Sequence, residues 1–181
     1  MPLIAFILFC FSPLPDIVTS EPTSQRSAKQ KRIGLALCMV CIFLGSAAEN
    51  TMTNWVSVYM ERTLQIPKSL GDTLGLTAFA LLLALTRTVY AKYGRNIYKV
   101  LMAGMIGAVV CYLVAALSPI IAVSMIACVL TGFATSMLWP GTLILMEEKI
   151  PHVGVAAYAL MAAGGDFGAS IAPQMLGIIV D

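Results

Sequence analysis

Five apolar runs dominate the sequence, and each is close to the length that a helix needs to cross a membrane. They lie at residues 33–60, 73–90, 100–117, 120–146 and 153–180. A transmembrane helix needs about 20 mostly apolar residues to span roughly 30 Å of hydrocarbon. Only 11% of the residues are charged, whereas soluble domains carry about 25%. The sequence therefore predicts an all-α integral membrane protein whose five full transmembrane helices form a bundle over residues 33–181.

The residues before the first run divide into two short segments. Residues 1–12 are apolar but too short to cross a membrane. They lack the basic start and the small-residue cleavage site of a secretory signal, so we predict the end of a partial transmembrane helix. Residues 13–32, PLPDIVTSEPTSQRSAKQKR, are rich in Pro, Ser, Thr and charge. This composition is typical of a flexible linker.

Basic residues are concentrated in alternate connections between the spans. Nine of the eleven lysines and arginines lie in residues 13–32, 87–99 and 147–152, whereas the other connections hold Arg62 and Lys68. Connections rich in lysine and arginine stay in the cytoplasm. The sequence therefore predicts that residues 13–32, 91–99 and 147–152 are cytoplasmic. The net charge of +2 gives no indication of nucleic-acid binding.

The five cysteines lie inside apolar runs and show no metal-ligand spacing. They are Cys10, Cys38, Cys41, Cys111 and Cys128, and the single histidine, His152, is distant from them in the sequence. Buried free cysteines behave as small hydrophobic residues. We therefore expect a packing role for them, and we predict no metal site, disulfide framework or cofactor.

Polar side chains form a stripe on the first span around an acidic residue, Glu49. The stripe comprises Glu49, Asn50, Thr53, Asn54 and Ser57, with Trp55 and Tyr59 beside it. A charge in hydrocarbon costs about 2.5–3.5 kcal/mol on insertion scales, so it faces protein or water. We predict that Glu49, Asn50, Asn54, Trp55 and Gln174 of the last span bind a hydroxylated or zwitterionic solute. The alternative is hydrogen bonding between helices.

A second acid, Asp166, lies in the middle of the last span. Ser170 and Gln174 follow it at i+4 and i+8, and Gly164 and Gly168 form a GxxxG face that allows a neighbouring helix to approach. Pro173 removes a helical hydrogen bond and predicts a kink. We expect a hinge here, and reversible protonation of Asp166 or Glu49 would couple transport to protons. Alternatively, Asp166 is neutral and held by a neighbouring helix.

The fourth span contains its own interruption, LWPGT at residues 138–142. Pro140 has no backbone N–H and leaves the carbonyl of Ser136 without its helical donor. Gly132 and Ser136 form a further small-residue face. Arg87 lies near the predicted cytoplasmic end of the second span, and we expect its side chain to extend to the lipid headgroups.

Three stretches give the sequence a resemblance to the major facilitator superfamily of transporters, and more narrowly to its fucose-permease-like bacterial group. AENTMTNWVSVYME at 48–61 is similar to the E-x5-W-x3-Y pattern of the seventh helix in that group. RTVYAKYGRN at 87–96 resembles the second copy of the family's G-x-x-x-D-R-x-G-R-K loop, but Arg87 and Ala91 depart from it. GFATSMLWPGTLIL and GGDFGASIAPQMLGIIVD are similar to the tenth and eleventh helices.

The resemblance implies a protein of two six-helix halves with a solute site between them and alternating access. It implies that this chain is the C-terminal half, in a bacterial plasma membrane, lacking an N-terminal half that would be its partner if separately encoded. It also implies a cytoplasmic gate loop that includes Arg87, Lys92, Gly94 and Arg95. The expected partners are the lipid bilayer, a small solute and protons.

Two enzyme classes fit the sequence poorly. An intramembrane aspartyl protease would want glycine at position 163, where the sequence has Ala163, and a second aspartate, for which Glu49 is the nearest equivalent. An intramembrane Ser/His hydrolase would need a histidine in a span, but His152 lies in a predicted turn. We therefore predict that the protein is not an enzyme. The remaining alternative is a non-transporting membrane scaffold or relic that packs through its small-residue faces.

Overall fold

A computed structural model describes residues 25–150 and 153–180. Its helices are α1 (Gln25–Arg62), α2 (Lys68–Leu70), a π-helical segment π1 (Gly71–Leu76), α3 (Thr77–Tyr93), α4 (Ile97–Leu117), α5 (Ile121–Thr135), α6 (Leu138–Lys149) and α7 (Val155–Val180). The described residues contain no strand. Within the described residues, five helical stretches, one of them interrupted by a turn, are long and apolar enough to cross a membrane. The expectation of an all-α bundle with five spans is thus confirmed.

The helix of the first span includes polar residues that precede the predicted apolar run. The first described residue, Gln25, is already helical, so the last eight residues of the predicted linker belong to α1. These residues, QRSAKQKR, are mostly strong helix formers that extend the apolar helix toward its N-terminus. The predicted partial helix at 1–12 and the rest of the predicted linker lie outside the described residues.

The second span starts with irregular turns. After α1 the chain reverses through Gln65, whose φ of 55° lies in the left-handed region that few residues other than glycine adopt. α2 and π1 then lead into α3. Gly71 and Gly75 of π1 are buried against Ser57 and Met60 of α1. The absence of a side chain at these glycines therefore allows π1 to lie directly on α1.

The fourth span is divided into two helices. α5 ends at Thr135 and α6 begins at Leu138, with a turn at Ser136–Met137 between them. The interruption thus precedes the predicted LWPGT break by two residues. Pro140 lies in the first turn of α6, where a missing backbone N–H is tolerated. The proline therefore determines where the second helix of this span begins.

α1 and α7 form the most extensive helix pair of the bundle. Gly164 lies against Met39, and Gly168 lies against the backbone carbonyl of Phe43. Because residue numbers rise together along both helices, α1 and α7 run in the same direction. α6 also packs on α1 and contacts α4 and α7, while α3 packs on α5. Gly132 of α5 lies against the backbone of Phe79 in α3.

Candidate functional site

An ion pair joins α1 to α3 inside the bundle. Nη2 of Arg87 donates to both carboxylate oxygens of Glu49, at 2.9 Å each. The Glu49 side chain is 17% exposed and that of Arg87 is 39% exposed. The expectation that Arg87 extends to the headgroups is wrong, because its guanidinium turns inward to the carboxylate. Intramembrane charges pair with one another because an unpaired charge is costly in hydrocarbon.

The same arginine also donates a hydrogen bond at the interruption of the fourth span. Its Nε donates to the backbone carbonyl of Ser136 at 2.8 Å. This is the carbonyl that Pro140 deprives of a helical donor. The sequence therefore predicted the unsatisfied acceptor correctly, but it did not indicate the donor. Arg87 connects three spans: the first through Glu49, the second through its own backbone, and the fourth through Ser136.

A polar cleft lies between α1 and α7, on the half of the bundle away from the basic connections. Its volume is about 400 Å³, and it is lined by Asn54, Trp55, Val58, Pro173, Gln174 and Gly177. Three of the five side chains predicted to bind solute, namely Asn54, Trp55 and Gln174, therefore line one cleft. The exposed Asn54 and Gln174 provide amide donors and acceptors on opposite walls.

The indole of Trp55 is fixed across this cleft. Its Nε1 donates to the backbone carbonyl of Pro173 at 3.0 Å. Gly177 leaves room beside the ring, since a Cβ at that position would lie 3.2 Å from Cζ2 of the indole. The hydrogen bond therefore holds the aromatic face in a defined orientation, which is a requirement for a preformed binding site.

The other two predicted solute residues do not line the cleft. Glu49 is held by Arg87, and Nδ2 of Asn50 donates to the carbonyl of Ser46 at 3.0 Å. Nδ2 of Asn54 donates to the carbonyl of Asn50 at 2.7 Å. Both asparagines thus use one N–H on their own helix. In the described part of the chain, their amide oxygens accept no hydrogen bond and remain available as acceptors.

Asp166 lies on a face of α7 that none of the described helices covers. The residue is exposed, and its carboxylate has no hydrogen bond or ion pair with any residue in 25–150 or 153–180. Ser170 does not contact that carboxylate, because its hydroxyl donates to the backbone carbonyl of Asp166 at 2.8 Å. The alternative in which a neighbouring helix holds the acid is therefore not seen within the described bundle.

Lys92, Gly94 and Arg95 lie apart from Arg87, at the turn between α3 and α4. The Lys92 ammonium is 5.4 Å from the centroid of the Tyr93 ring. Asn96 caps α4 by accepting a hydrogen bond from the backbone N–H of Lys99 at 3.2 Å. Three of the four residues assigned to the gate loop thus remain together, whereas the guanidinium of Arg87 belongs to the ion pair.

Two tyrosines connect α1 to α4, and only one of them, Tyr59, belongs to a pattern noted in the sequence. The hydroxyl of Tyr59 donates to the carbonyl of Ala115, and that of Tyr112 donates to the carbonyl of Ala48 at 2.7 Å. A tyrosine in a span needs a partner for its hydroxyl. For Tyr112 the only available signal was therefore the presence of its hydroxyl inside an apolar run.

A bundle of apolar helices with an internal ion pair and a polar cleft defines a polytopic membrane protein built around an aqueous or polar interior. Membrane transporters share this construction. The chain belongs to the Major Facilitator Superfamily, whose sequence model matches residues 1–173. No curated protein and no solved structure matches the chain. Membership of this family assigns the protein to membrane transport of a solute.

Proposed function

We propose that the protein transports a small hydroxylated or zwitterionic solute, which it binds at Asn54, Trp55 and Gln174. The observation that supports this proposal best is the position of these side chains in one cleft between α1 and α7. Two amides and a fixed aromatic face suit a polar solute with several hydrogen-bonding groups. Asn50 lies one turn from Asn54 and extends the acceptor surface along α1.

The chain acts in this proposal as the C-terminal half of a fucose-permease-like transporter. An N-terminal half supplies the facing wall, and the solute site alternates between the two sides of a bacterial plasma membrane. The linker side of the bundle faces the cytoplasm, because the basic connections lie there. Lys92, Gly94 and Arg95 form the cytoplasmic gate loop. The resemblance of the three quoted stretches supports this arrangement.

Glu49 couples transport to protons in the same proposal. A proton on Glu49 removes the negative charge that holds Nη2 of Arg87, while Nε still bonds the carbonyl of Ser136. Protonation would therefore loosen α3 from α1 without exposing the carbonyl at the interruption between α5 and α6. The position of one arginine between a titratable acid and a broken span supports this role.

Asp166 is the second candidate for proton coupling. Its carboxylate lies in the middle of a span and is exposed on the described bundle. Because an intramembrane acid faces protein or water, we place this face of α7 against the water-filled path between the two halves. We place the hinge of α7 at Pro173, about two turns further along the helix.

Uptake into proteoliposomes tests the solute site. The protein, alone and together with an N-terminal half, is screened with radiolabelled sugars and amino acids under an imposed pH gradient. For the solute that accumulates, Gln174→Ala should raise the half-saturation concentration about tenfold, because a lost hydrogen bond to a polar ligand costs about 1–3 kcal/mol. Gln65→Ala, which removes an exposed amide outside the cleft, is the matched control.

Two further variants separate solute binding from coupling. Trp55→Phe keeps an aromatic ring but removes the bond to Pro173, so it should weaken solute binding. Glu49→Gln should leave solute exchange intact and abolish accumulation driven by the pH gradient. If Gln174→Ala and Gln65→Ala behave alike, the cleft is not the solute site. If Glu49→Gln and Asp166→Asn both accumulate solute normally, the coupling assignment fails.

The alternative of a non-transporting scaffold receives less support from the packing. The scaffold would need the GxxxG face of α7 for an external partner, but Gly164 and Gly168 already contact α1. A helix face that is filled within the chain is not available to another protein.

A further inference from the structure

Arg87 has one nitrogen that makes no hydrogen bond within residues 25–150 and 153–180. Its Nε donates to the carbonyl of Ser136, and its Nη2 donates to both carboxylate oxygens of Glu49. Nη1 carries two further N–H donors. The only buried side-chain nitrogen or oxygen without a partner in these ranges is Oγ of Ser57, so Nη1 is accessible. A charged donor is thus available beside the ion pair, between three described spans.

The existing bonds fix the direction of the guanidinium. Nε and Nη2 are held by acceptors on two different spans, so the edge that Nη1 and Nη2 form together has a defined orientation. Such an edge matches the two oxygens of a carboxylate. Glu49 uses only the Nη2 side of this edge. A second carboxylate is therefore able to bind the whole Nη1–Nη2 edge once Glu49 has released Nη2.

The ion pair and the proposed solute cleft lie at the same level of the bundle. α1 and α7 run in the same direction, with Gly168 against Phe43. Glu49 and Gln174 lie equally far beyond this contact on their helices, so the constant rise of a helix brings them to one level. Gln174 lines the cleft. A small solute in the cleft is therefore able to extend toward Arg87.

We propose that the solute carries a carboxylate, which binds the Nη1–Nη2 edge of Arg87 when Glu49 is protonated. This inference rests on the proposed function and names the class of its solute. The proton that enters with the solute resides on the carboxyl group of Glu49, which then releases Nη2. The solute carboxylate takes the place of the Glu49 carboxylate, so the guanidinium keeps one negative partner. One carboxylate and one proton therefore add no net charge to the site.

A carboxylate suits this site better than a phosphate ester or a neutral sugar. A phosphate monoester carries about 1.5 to 2 negative charges near neutral pH and would need a second cation. Within the described residues, the nearest basic side chain along α3 is that of Lys92, which is exposed and about 7.5 Å further along the helix. A neutral sugar offers no charge to Nη1. Arg87 alone balances one negative charge, which is the charge of a carboxylate.

Glu49 is the acid that competes with the solute for Arg87. Within the described residues, its carboxylate pairs with Arg87 alone. The titratable side chains in the middle of the other spans around α1 are Cys111, Tyr112, Cys128 and Asp166, whereas those of α2, π1 and α6 lie at span ends. The Tyr112 hydroxyl donates to the carbonyl of Ala48. Asp166 is about 12 Å from Glu49 along the bundle by the same helix register.

Paired solutes test the carboxylate. Accumulation of radiolabelled gluconate, lactate and leucine in proteoliposomes is compared with that of glucose, lactamide and leucinamide, which lack the carboxylate. At least one carboxylate should accumulate, and its counterpart should compete at least about tenfold less well, because it lacks a charge-assisted hydrogen bond. Accumulation of glucose or lactamide without competition by the carboxylates would overturn this inference and leave the proposed transport function intact.

Binding in detergent tests the exchange of carboxylates without requiring transport. The Kd of the three radiolabelled carboxylates is measured between about pH 5 and about pH 8. For the carboxylate that binds, the Kd should rise by up to about tenfold per pH unit, because one proton binds with it. Glu49→Gln should bind it without this pH dependence, whereas the matched control Glu61→Gln, an exposed acid of α1, should retain it.

Three results of the binding measurement would overturn the inference. They are the absence of binding by all three carboxylates, a Kd of the wild-type protein that does not change with pH, and an unchanged pH dependence in Glu49→Gln. The proposed transport function fails separately, if none of the six solutes accumulates in proteoliposomes. A carboxylate that binds with the expected pH dependence would then still support the assignment of Arg87 and Glu49.

Discussion

At the scale of single residues, Arg87 has the most demanding position in the chain. One side chain bonds both oxygens of Glu49 and the backbone carbonyl of Ser136. A guanidinium makes these three bonds from two separate nitrogens in a fixed plane, whereas an ammonium carries all its donors on one nitrogen. The residue is therefore a structural connection between spans as well as the proposed partner of a titratable acid.

We expect Arg87→Lys to destabilise the protein although the charge is kept. An ammonium on a flexible stem cannot satisfy the carboxylate and the carbonyl at once, so one buried acceptor is left without a donor at a cost of about 1–3 kcal/mol. Thermal unfolding in detergent measures the change. Arg95→Lys, at an exposed position of the turn after α3, is the control and should have little effect. Equal stability of Arg87→Lys and the wild type would contradict the assigned bonds.

At the scale of elements, the interruption of the fourth span depends on Arg87, which bonds the carbonyl that is freed there. In Pro140→Ala the backbone regains an N–H that is able to bond the Ser136 carbonyl. The carbonyl then no longer depends on Arg87. A helix interruption that looks local in the sequence is thus coupled to a side chain of another span.

A double-mutant cycle measures this coupling. Arg87→Leu should cost less stability in the Pro140→Ala background than in the wild type, with a coupling energy of about 0.5–3 kcal/mol. The stabilities of the four proteins are compared by unfolding in detergent. If the stability change of the double mutant equals the sum of the two single-mutant changes to within about 0.5 kcal/mol, Pro140 and Arg87 act separately.

The close packing of α7 on α1 leads to a second prediction at the scale of elements. A Cβ at position 168 would overlap the carbonyl oxygen of Phe43, so Gly168→Ala should destabilise the protein by about 1–3 kcal/mol. Gly154 has no atom within 4 Å of the equivalent position, and Gly154→Ala is the matched control. Thermal unfolding in detergent compares the two variants. If both lose a similar amount of stability, Gly168 does not make the close contact with α1.

The sequence predicted the elements better than their contacts. The five spans can be predicted from the length of the apolar runs, and the carbonyl freed by Pro140 can be predicted from the helical hydrogen-bond pattern. Both depend only on residues that are neighbours in the sequence. The pairing of Glu49 with Arg87 depends on which helices face one another, and apolar runs contain little information about that. The cleft was partly predictable, because the amide and aromatic side chains of Asn54, Trp55 and Gln174 are costly against lipid.

At the scale of the whole molecule, most basic residues of the bundle lie at one end, and the proposed solute cleft lies on the other half. α1, α4 and α7 run from the basic end, and α3 and the α5–α6 span return to it. A membrane orients such a bundle by its lysines and arginines. The charge distribution therefore predicts that the cleft lies toward the outer face of the membrane.

Cysteine labelling in intact cells tests this orientation. The single substitutions Gln65→Cys and Arg95→Cys, in a protein with its native cysteines replaced by alanine, place a thiol at opposite ends of the bundle. A membrane-impermeant maleimide should label position 65 from outside the cell and reach position 95 only after the membrane is opened. Labelling of position 95 in intact cells would reverse the assigned orientation.

The Glu49–Arg87 pair also has a consequence for biogenesis. During synthesis α1 reaches the insertion machinery before α3, and Glu49 alone would cost about 2.5–3.5 kcal/mol in the bilayer centre. The cost falls when the arginine of the following span arrives beside it. The first two spans should therefore enter the bilayer as a hairpin, whereas α4, which carries no charge after Lys99, is apolar enough to enter by itself.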